Sequence, residues 1–244
     1  MSKGVIEELR ERVARVCNLV WERRLVTATE GNVSARVPKT NYIIIKPSGF
    51  HMRDVTPDSL IIVDVHGKVI EGKFKPSVET PMHTAVYRNR PDVGGVVHTH
   101  QVYATALGVA GVSIQPILLG LKLILGFPIV PYHLGGTQEL ADAVVRKLGK
   151  RRRGVVLQNH GILAVGSTVE DAFDTALYME EAAKTQFIAM LAGKGRIRTL
   201  TKKEQTDVLE RYGEKYLGIK KSEILSIIGK REAQKNERQM YHRT

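Results

Sequence analysis

The sequence predicts one mixed α+β domain in which a central, mostly antiparallel sheet is flanked by helices. Short β-branched runs alternate with stretches of helical periodicity along most of the chain. Several neighbouring runs are joined by connections of hairpin length, which antiparallel strands can use and parallel strands cannot. With 244 residues, 43% hydrophobic and 25% charged, the chain can bury a core without disulfides or metal staples.

Val5, Leu9, Val13, Val16, Val20 and Leu25 recur at helical spacing, so residues 3–26 form an amphipathic helix. The turn-rich Thr29-Glu30-Gly31-Asn32 leads into the alternating run Val33–Val37, and Tyr42–Ile45 is a β-branched strand ending at Pro47-Ser48-Gly49. Leu60–Val65 is a further strand, turned at His66-Gly67 into Lys68-Val69-Ile70. A helix follows over Thr80–Arg90, with Pro81 tolerated in its first turn. Gly95–His100 is a strand and Val102–Leu107 a helix; Ile129–Tyr132 is a short strand, and Thr137 caps a helix over Gln138–Leu148. Gly154–Leu157 and Gly161–Val165 are strands joined by the turn Gln158-Asn159-His160, and Thr168 caps a long helix to Ala192. One or two helices occupy the tail. Residues 1–220 are expected to form the domain and 221–244 a basic, helical extension.

The net charge of +12 suits nucleic acid or small anions. In the tail the basic residues are interleaved with Glu204, Asp207, Glu210, Glu214 and Glu223, the pattern of a solvated helical face. No RNA-binding signature, zinc-finger spacing or aromatic cluster is present, so no nucleic-acid partner is expected. The lone Cys17 can form no internal disulfide. No apolar N-terminal run resembles a signal peptide, and the longest apolar stretch, Ile117–Val130, is too short and too interrupted to span a bilayer. A cytoplasmic protein without membrane contact is expected.

His98 and His100 stand at i and i+2 in an apolar strand, so both imidazoles project to one face and can share an ion. His160 follows another strand in the turn Gln158-Asn159-His160-Gly161. Three imidazoles with one open position suit a catalytic zinc, although a strand histidine is often only packed and hydrogen-bonded. His51, His66, His133 and His242 fall in loops or the tail and read as ordinary surface residues. His83 lies one turn after Glu79 and reads as a supporting contact. Glu79 opens a helix, where a carboxylate can cap the terminus, ligate a metal or transfer protons.

These residues lie in blocks that resemble the class II aldolase/adducin-head family, which includes fuculose-phosphate and rhamnulose-phosphate aldolases and ribulose-phosphate 4-epimerase. The blocks are Thr29-Glu30-Gly31-Asn32-Val33-Ser34, Lys46-Pro47-Ser48-Gly49, Pro76-Ser77-Val78-Glu79, Val97-His98-Thr99-His100, Pro131-Tyr132 with Gly136–Leu140, and Asn159-His160-Gly161. They occur in the family's order over roughly residues 5–220. The resemblance implies the family's three-layer fold, Zn2+ or another divalent metal on His98, His100 and His160, and Glu79 as both labile ligand and acid/base. It implies a substrate phosphate held by Asn32, Ser48, Gly49 and Ser77, and a homotetramer with sites at subunit interfaces.

The reaction implied is reversible cleavage of a ketose 1-phosphate, such as L-fuculose 1-phosphate, to dihydroxyacetone phosphate and a short aldehyde. The alternative is L-ribulose-5-phosphate 4-epimerisation, or a decarboxylase or dehydratase acting on another sugar phosphate. Glu at position 79, where the epimerase has Asp, tilts the reading towards aldolase. The chain departs from the family pattern in three places. Val78 replaces a second serine; Ser113–Ile117 lacks the tyrosine that a neighbouring subunit supplies in fuculose-phosphate aldolase; and the mobile proton-donating tyrosine matches Tyr216 only with a one-residue gap, leaving Tyr212 as a rival.

Overall fold

A computed structural model describes residues 3–229. The elements run α1 (Lys3–Glu22), β1 (Asn32–Arg36), β2 (Tyr42–Ile45), β3 (Ile61–Asp64), β4 (Val69–Glu71), α2 (Thr80–Asn89), β5 (Gly95–Thr99), α3 (Val102–Val109), β6 (Ile129–Val130), α4 (Gln138–Leu148), β7 (Gly154–Leu157), β8 (Gly161–Gly166), α5 (Val169–Ala192), α6 (Lys202–Leu217) and α7 (Lys221–Gly229). Short 3-10 turns lie at Met52–Asp54 and Pro57–Ser59.

The eight strands form one sheet in the order β4-β3-β2-β1-β5-β8-β7-β6. Every named pairing is antiparallel except β6 with β7, so the mostly antiparallel sheet read from the hairpin-length connections is what forms. Strand periodicity divides the core in two. Val33, Ala35, Ile44, Ile62, Val97, Ile162 and Ala164 face the layer of α1, α3 and α5. Their neighbours Ile43, Ile45, Ile61, Val63, Val96, Leu163 and Val165 face α2 and α4. A smaller apolar cluster joins Ile124 and Leu125 to Leu209 and Ile219 around α6 and to Ile224 and Ile228 of α7.

Most boundaries shift by one or two residues from the sequence reading, and three shifts bear on the site. The first helix stops at Glu22, short of residue 26, because Arg24 takes a positive φ of 55° and the Leu25 amide folds back to the Val20 carbonyl. Strand β5 stops at Thr99, because the His100 amide donates to the Leu25 carbonyl at 3.1 Å and leaves the ladder. Strand β6 has two residues instead of four. The expected caps form: Thr137 accepts from the Leu140 amide and Thr168 from the Asp171 amide.

Helix α5 packs against the sheet backbone to backbone. A Cβ on Gly166 would overlap the Ala172 backbone nitrogen, and one on Gly95, its partner across the β5–β8 ladder, would overlap Val169. Backbone on both sides leaves nothing that can yield by rotating a side chain. Gly166→Ala is therefore expected to cost stability at the upper end of about 1–3 kcal/mol, the usual penalty for overpacking. Chemical denaturation of the variant beside the unsubstituted protein measures it, and an unchanged midpoint refutes the packing argument.

Candidate metal centre

The register of three adjacent strands builds the site. In β5, His98 lies opposite Asn32 of β1 on one side and Leu163 of β8 on the other. Directly opposed residues project to the same face, so the Asn32 side chain lies beside that of His98. His100 follows one residue past the strand. The β7–β8 turn brings His160 over both, helped by a left-handed Asn159 at φ 57°, a conformation asparagine accepts more readily than most residues. The ring centroids of His98, His100 and His160 are 4.7–5.0 Å apart, and their candidate ligand nitrogens all lie within 4.8 Å of one another.

Neighbouring acceptors orient two of the rings. His98 Nδ1 donates to the Ile162 carbonyl at 2.7 Å, which leaves its Nε2 as a lone pair facing the cluster. His100 Nδ1 lies 3.4 Å from a Glu30 carboxylate oxygen, and its Nε2 stands 3.0 Å from the Nε2 of His98. Two bare imidazole nitrogens at that distance repel unless a proton or a cation lies between them. Burial, followed by repulsion from the other two rings, holds His98 well below the ordinary imidazole range. Burial and then His100 bring His160 down to about 4. His98 and His160 are therefore neutral near pH 7, the form that ligates metal. A divalent cation of zinc type fits this donor set, with three imidazole nitrogens and room for a fourth ligand.

Glu79 completes the group. It precedes α2 without capping it through its side chain. Its Oε1 lies 4.0 Å from His160 Nε2, while its Oε2 is buried with no hydrogen-bond partner. Burial raises its pKa, opposed by the Gly136 amide. The loop before α4 closes over it: a Cβ on Gly135 would stand 2.6 Å from Oε1, so only glycine leaves room for the carboxylate. An unpartnered buried carboxylate oxygen beside three imidazoles is costly without a cation or a proton-donating ligand.

Of the remaining predicted residues, Asn32 lies opposite His98, and backbone links bring Ser48 and Gly49 to Ser77. Pro47 bridges Pro76, Ser48 donates its amide to the Lys75 carbonyl, and Ser77 donates its amide to the Lys46 carbonyl. These links bring the Ser48-Gly49 turn, with Gly49 at φ 76°, against Ser77. Val78 is exposed at the rim. Tyr216 lies in α6, but its side chain is outside the described residues, as is all of His242. Tyr212 is exposed, with the Arg211 guanidinium over its ring. His83 is no ligand: it turns to β1 and contacts Asn32 and Ser34, supporting the site from behind Asn32, near enough to His98 to oppose that ring's protonation.

Sequence reading left Lys46 unassigned. Its side chain is only 2% exposed, its ammonium reaches just the Thr29 and Pro47 carbonyls at 3.3–3.4 Å, and burial lowers its pKa. Among the described residues it has no carboxylate partner. The available signal was a lysine ending an apolar strand, where an aliphatic residue was expected.

A model of the class II aldolase and adducin N-terminal domain matches residues 11–187. L-ribulose-5-phosphate 4-epimerase UlaF of Salmonella paratyphi B is 37% identical over 178 residues, covering 68% of this chain and 78% of that protein. The solved structure of an L-fuculose 1-phosphate aldolase superposes with a TM-score of 0.78 at 26% identity, over 87% of this chain and 98% of that one. The L-fuculose-1-phosphate aldolase of Thermus thermophilus superposes at 0.68 with 25% identity, over 80% and 100%. The protein thus belongs to the class II aldolase and adducin N-terminal domain family, as an enzyme of its metal-dependent class II aldolase kind.

Proposed function

We propose that the protein is a zinc-dependent aldolase that reversibly cleaves a ketose 1-phosphate, such as L-fuculose 1-phosphate, to dihydroxyacetone phosphate and a short aldehyde. The observation that carries this reading is the buried Glu79 carboxylate, with one unpartnered oxygen, beside His98, His100 and His160. A divalent cation held by the three imidazoles supplies a Lewis acid for the substrate's oxygens. The raised pKa of Glu79 keeps its carboxyl protonated at higher pH than usual, so it can donate as well as accept. As the carbon–carbon bond breaks, the hydroxyl on the aldehyde side loses its proton and the electron pair passes to the dihydroxyacetone phosphate carbon. Glu79 returns a proton to that carbon, and Tyr216 serves the aldehyde side.

The phosphate binds, in this reading, to Asn32, Ser48, Gly49 and Ser77, with the Lys46 ammonium as the neutralising charge. Ser77 Oγ already accepts from the Glu79 amide at 3.2 Å, which leaves its proton for an anion. Turn amides, short hydroxyls and one buried cation make a compact anion nest. A second reading is 4-epimerisation of L-ribulose 5-phosphate, favoured by the 37% identity to UlaF. We further propose a cytoplasmic homotetramer with sites at subunit interfaces. In support, no described helix is long and apolar enough to cross a membrane, and the packed helices α3 and α5 leave Val102, Val109, Ile188 and Leu191 exposed.

Incubating zinc-loaded protein with a panel of ketose phosphates, with coupled detection of dihydroxyacetone phosphate, separates the two readings. Release from at least one ketose 1-phosphate is expected; no release, with epimer formed from ribulose 5-phosphate, overturns the aldolase assignment. Glu79→Gln should lower turnover by about 10²–10⁴-fold while zinc content stays near stoichiometric, and equal turnover removes Glu79 from the chemistry. The histidines also set a pH dependence. The folded pKa values of His98 and His160 lie below the ordinary 6.5, with His160 at about 4. As pH falls below 6.5 the unfolded chain therefore takes up protons before the folded one. Metal-free protein should lose thermal stability steadily as pH drops from 6.5 towards 4. A flat midpoint across that window contradicts burial of neutral imidazoles.

A further inference from the structure

His83 is 0% exposed, among the most deeply buried polar side chains in the protein, and the chemistry above does not use it. Its two ring nitrogens are both engaged at short range. Nδ1 lies 2.6 Å from Ser34 Oγ, Nε2 lies 2.5 Å from Asn32 Oδ1, and Ser34 Oγ lies 2.9 Å from the Tyr87 hydroxyl. Two periodicities make this alignment. Asn32 and Ser34 are i and i+2 on β1, about 6.6 Å apart on one face, and His83 and Tyr87 are i and i+4 on α2, about 6 Å apart on one face. The two pairs meet in register.

A neutral imidazole carries one N–H, so the chain of hydrogen bonds has two self-consistent directions. In one, Tyr87 donates to Ser34, Ser34 to His83 Nδ1, and His83 Nε2–H to Asn32 Oδ1. In the other every donor reverses, and the Tyr87 proton is left without an acceptor, because besides Ser34 the hydroxyl meets only the Val96 amide among the described residues, and an amide N–H donates. Tyr87 is 1% exposed, and a buried hydroxyl proton with no acceptor carries a full desolvation penalty. The first direction is therefore the stable one. It commits Asn32 Oδ1 to His83 and turns the side-chain NH2 the other way, where no group among the described residues accepts from it. Burial keeps the ring neutral down to about pH 3, so the setting does not change across working conditions.

We propose that Tyr87, Ser34 and His83 form a relay that locks the Asn32 amide with its NH2 donors facing the anion subsite, which makes His83 a positioning residue for phosphate recognition. This rests on the assignment of Asn32 to the phosphate. An unlocked amide presents its carbonyl oxygen to the anion part of the time, and a carbonyl repels where an NH2 attracts. The relay thus supplies a binding polarity that Asn32 alone does not fix.

The full-length, zinc-loaded protein titrated with inorganic phosphate tests this by calorimetry. Asn32→Ala and His83→Leu are each expected to weaken phosphate binding about tenfold or more, the size of one hydrogen bond to a charged group. The double variant should bind no more than about twofold weaker than Asn32→Ala, because both changes remove the same contact. Fully additive losses overturn the relay. His83→Gln, whose amide can donate from near the Nε2 position, should recover most of the affinity; no recovery counts against it. If Asn32→Ala leaves phosphate affinity intact, the anion assignment itself falls. If Asn32→Ala weakens binding and His83→Leu does not, only the relay falls. Nitrogen-15 NMR of the imidazoles in the unsubstituted protein needs no variant to fold. The Nε2–H tautomer of His83 is expected, and the Nδ1–H tautomer overturns the proposal.

Discussion

The pairing of β5 with β8 is the constraint on which the rest of the molecule depends. Its register, from Gly95 opposite Gly166 to Thr99 opposite Ile162, sets two things at opposite ends of one ladder. At the glycine end, the absence of side chains lets α5 lie against the sheet and seal the core formed with α1 and α3. At the other end the same ladder carries His98 and His100 on β5 and its continuation, while the turn entering β8 carries His160. Moving either strand by one residue would put a side chain under α5. It would also turn the histidines to the opposite face, because strand side chains alternate. Packing at one end therefore holds the geometry of the candidate metal centre at the other.

Desolvation shapes the chemistry of that centre more than any single charge does. Burial is the first cause of the raised pKa of Glu79 and of the lowered values of His98, His160 and Lys46. Each group is pushed towards its neutral form, and none has an opposite charge in contact to pull it back. His160 and Glu79 approach only to 4.0 Å. Unpaired ionisable groups in such a cluster are expensive, and proteins rarely keep them without a ligand that repays the cost. A divalent cation for the imidazoles and the carboxylate, and an anion for the lysine, are the ligands whose charges fit.

Much of this was legible in the sequence, because local rules and tertiary packing agree. The helix caps at Thr137 and Thr168 form as read, and the period-two alternation of β1, β2, β3 and β5 matches the two core faces. His98 and His100 were readable because i and i+2 along a strand and its continuation share a face, and His160 because it stands in the turn of a family block. What could not be read depends on contacts distant in sequence. The helix stop at Glu22 and the strand stop at Thr99 have one origin, the Leu25 segment folding back to accept the His100 amide. Lys46 stood in a family block without a role, and nothing local says that its ammonium is enclosed by the loops around Thr29 and Pro47. His83 was placed near Glu79 by helical spacing, but its face of α2 packs on β1.

The placement of Asn32 opposite His98 has a consequence for specificity. The residue proposed to bind phosphate and a residue proposed to bind the metal are hydrogen-bonded neighbours across two strands, about 4.5–5.5 Å apart. Their separation is fixed by sheet geometry and cannot adapt through a loop. Whatever bridges them must present a phosphate and a pair of metal-seeking oxygens at one set spacing. That rigid end is common to any ketose whose phosphate lies close to its carbonyl. Beside Glu79 the site is bounded instead by the loop of Tyr132 and Leu134, both largely exposed, whose Gly135 lies against the carboxylate. In the proposed reading, discrimination between substrates therefore falls to that loop, while the sheet holds the metal and phosphate contacts at one spacing.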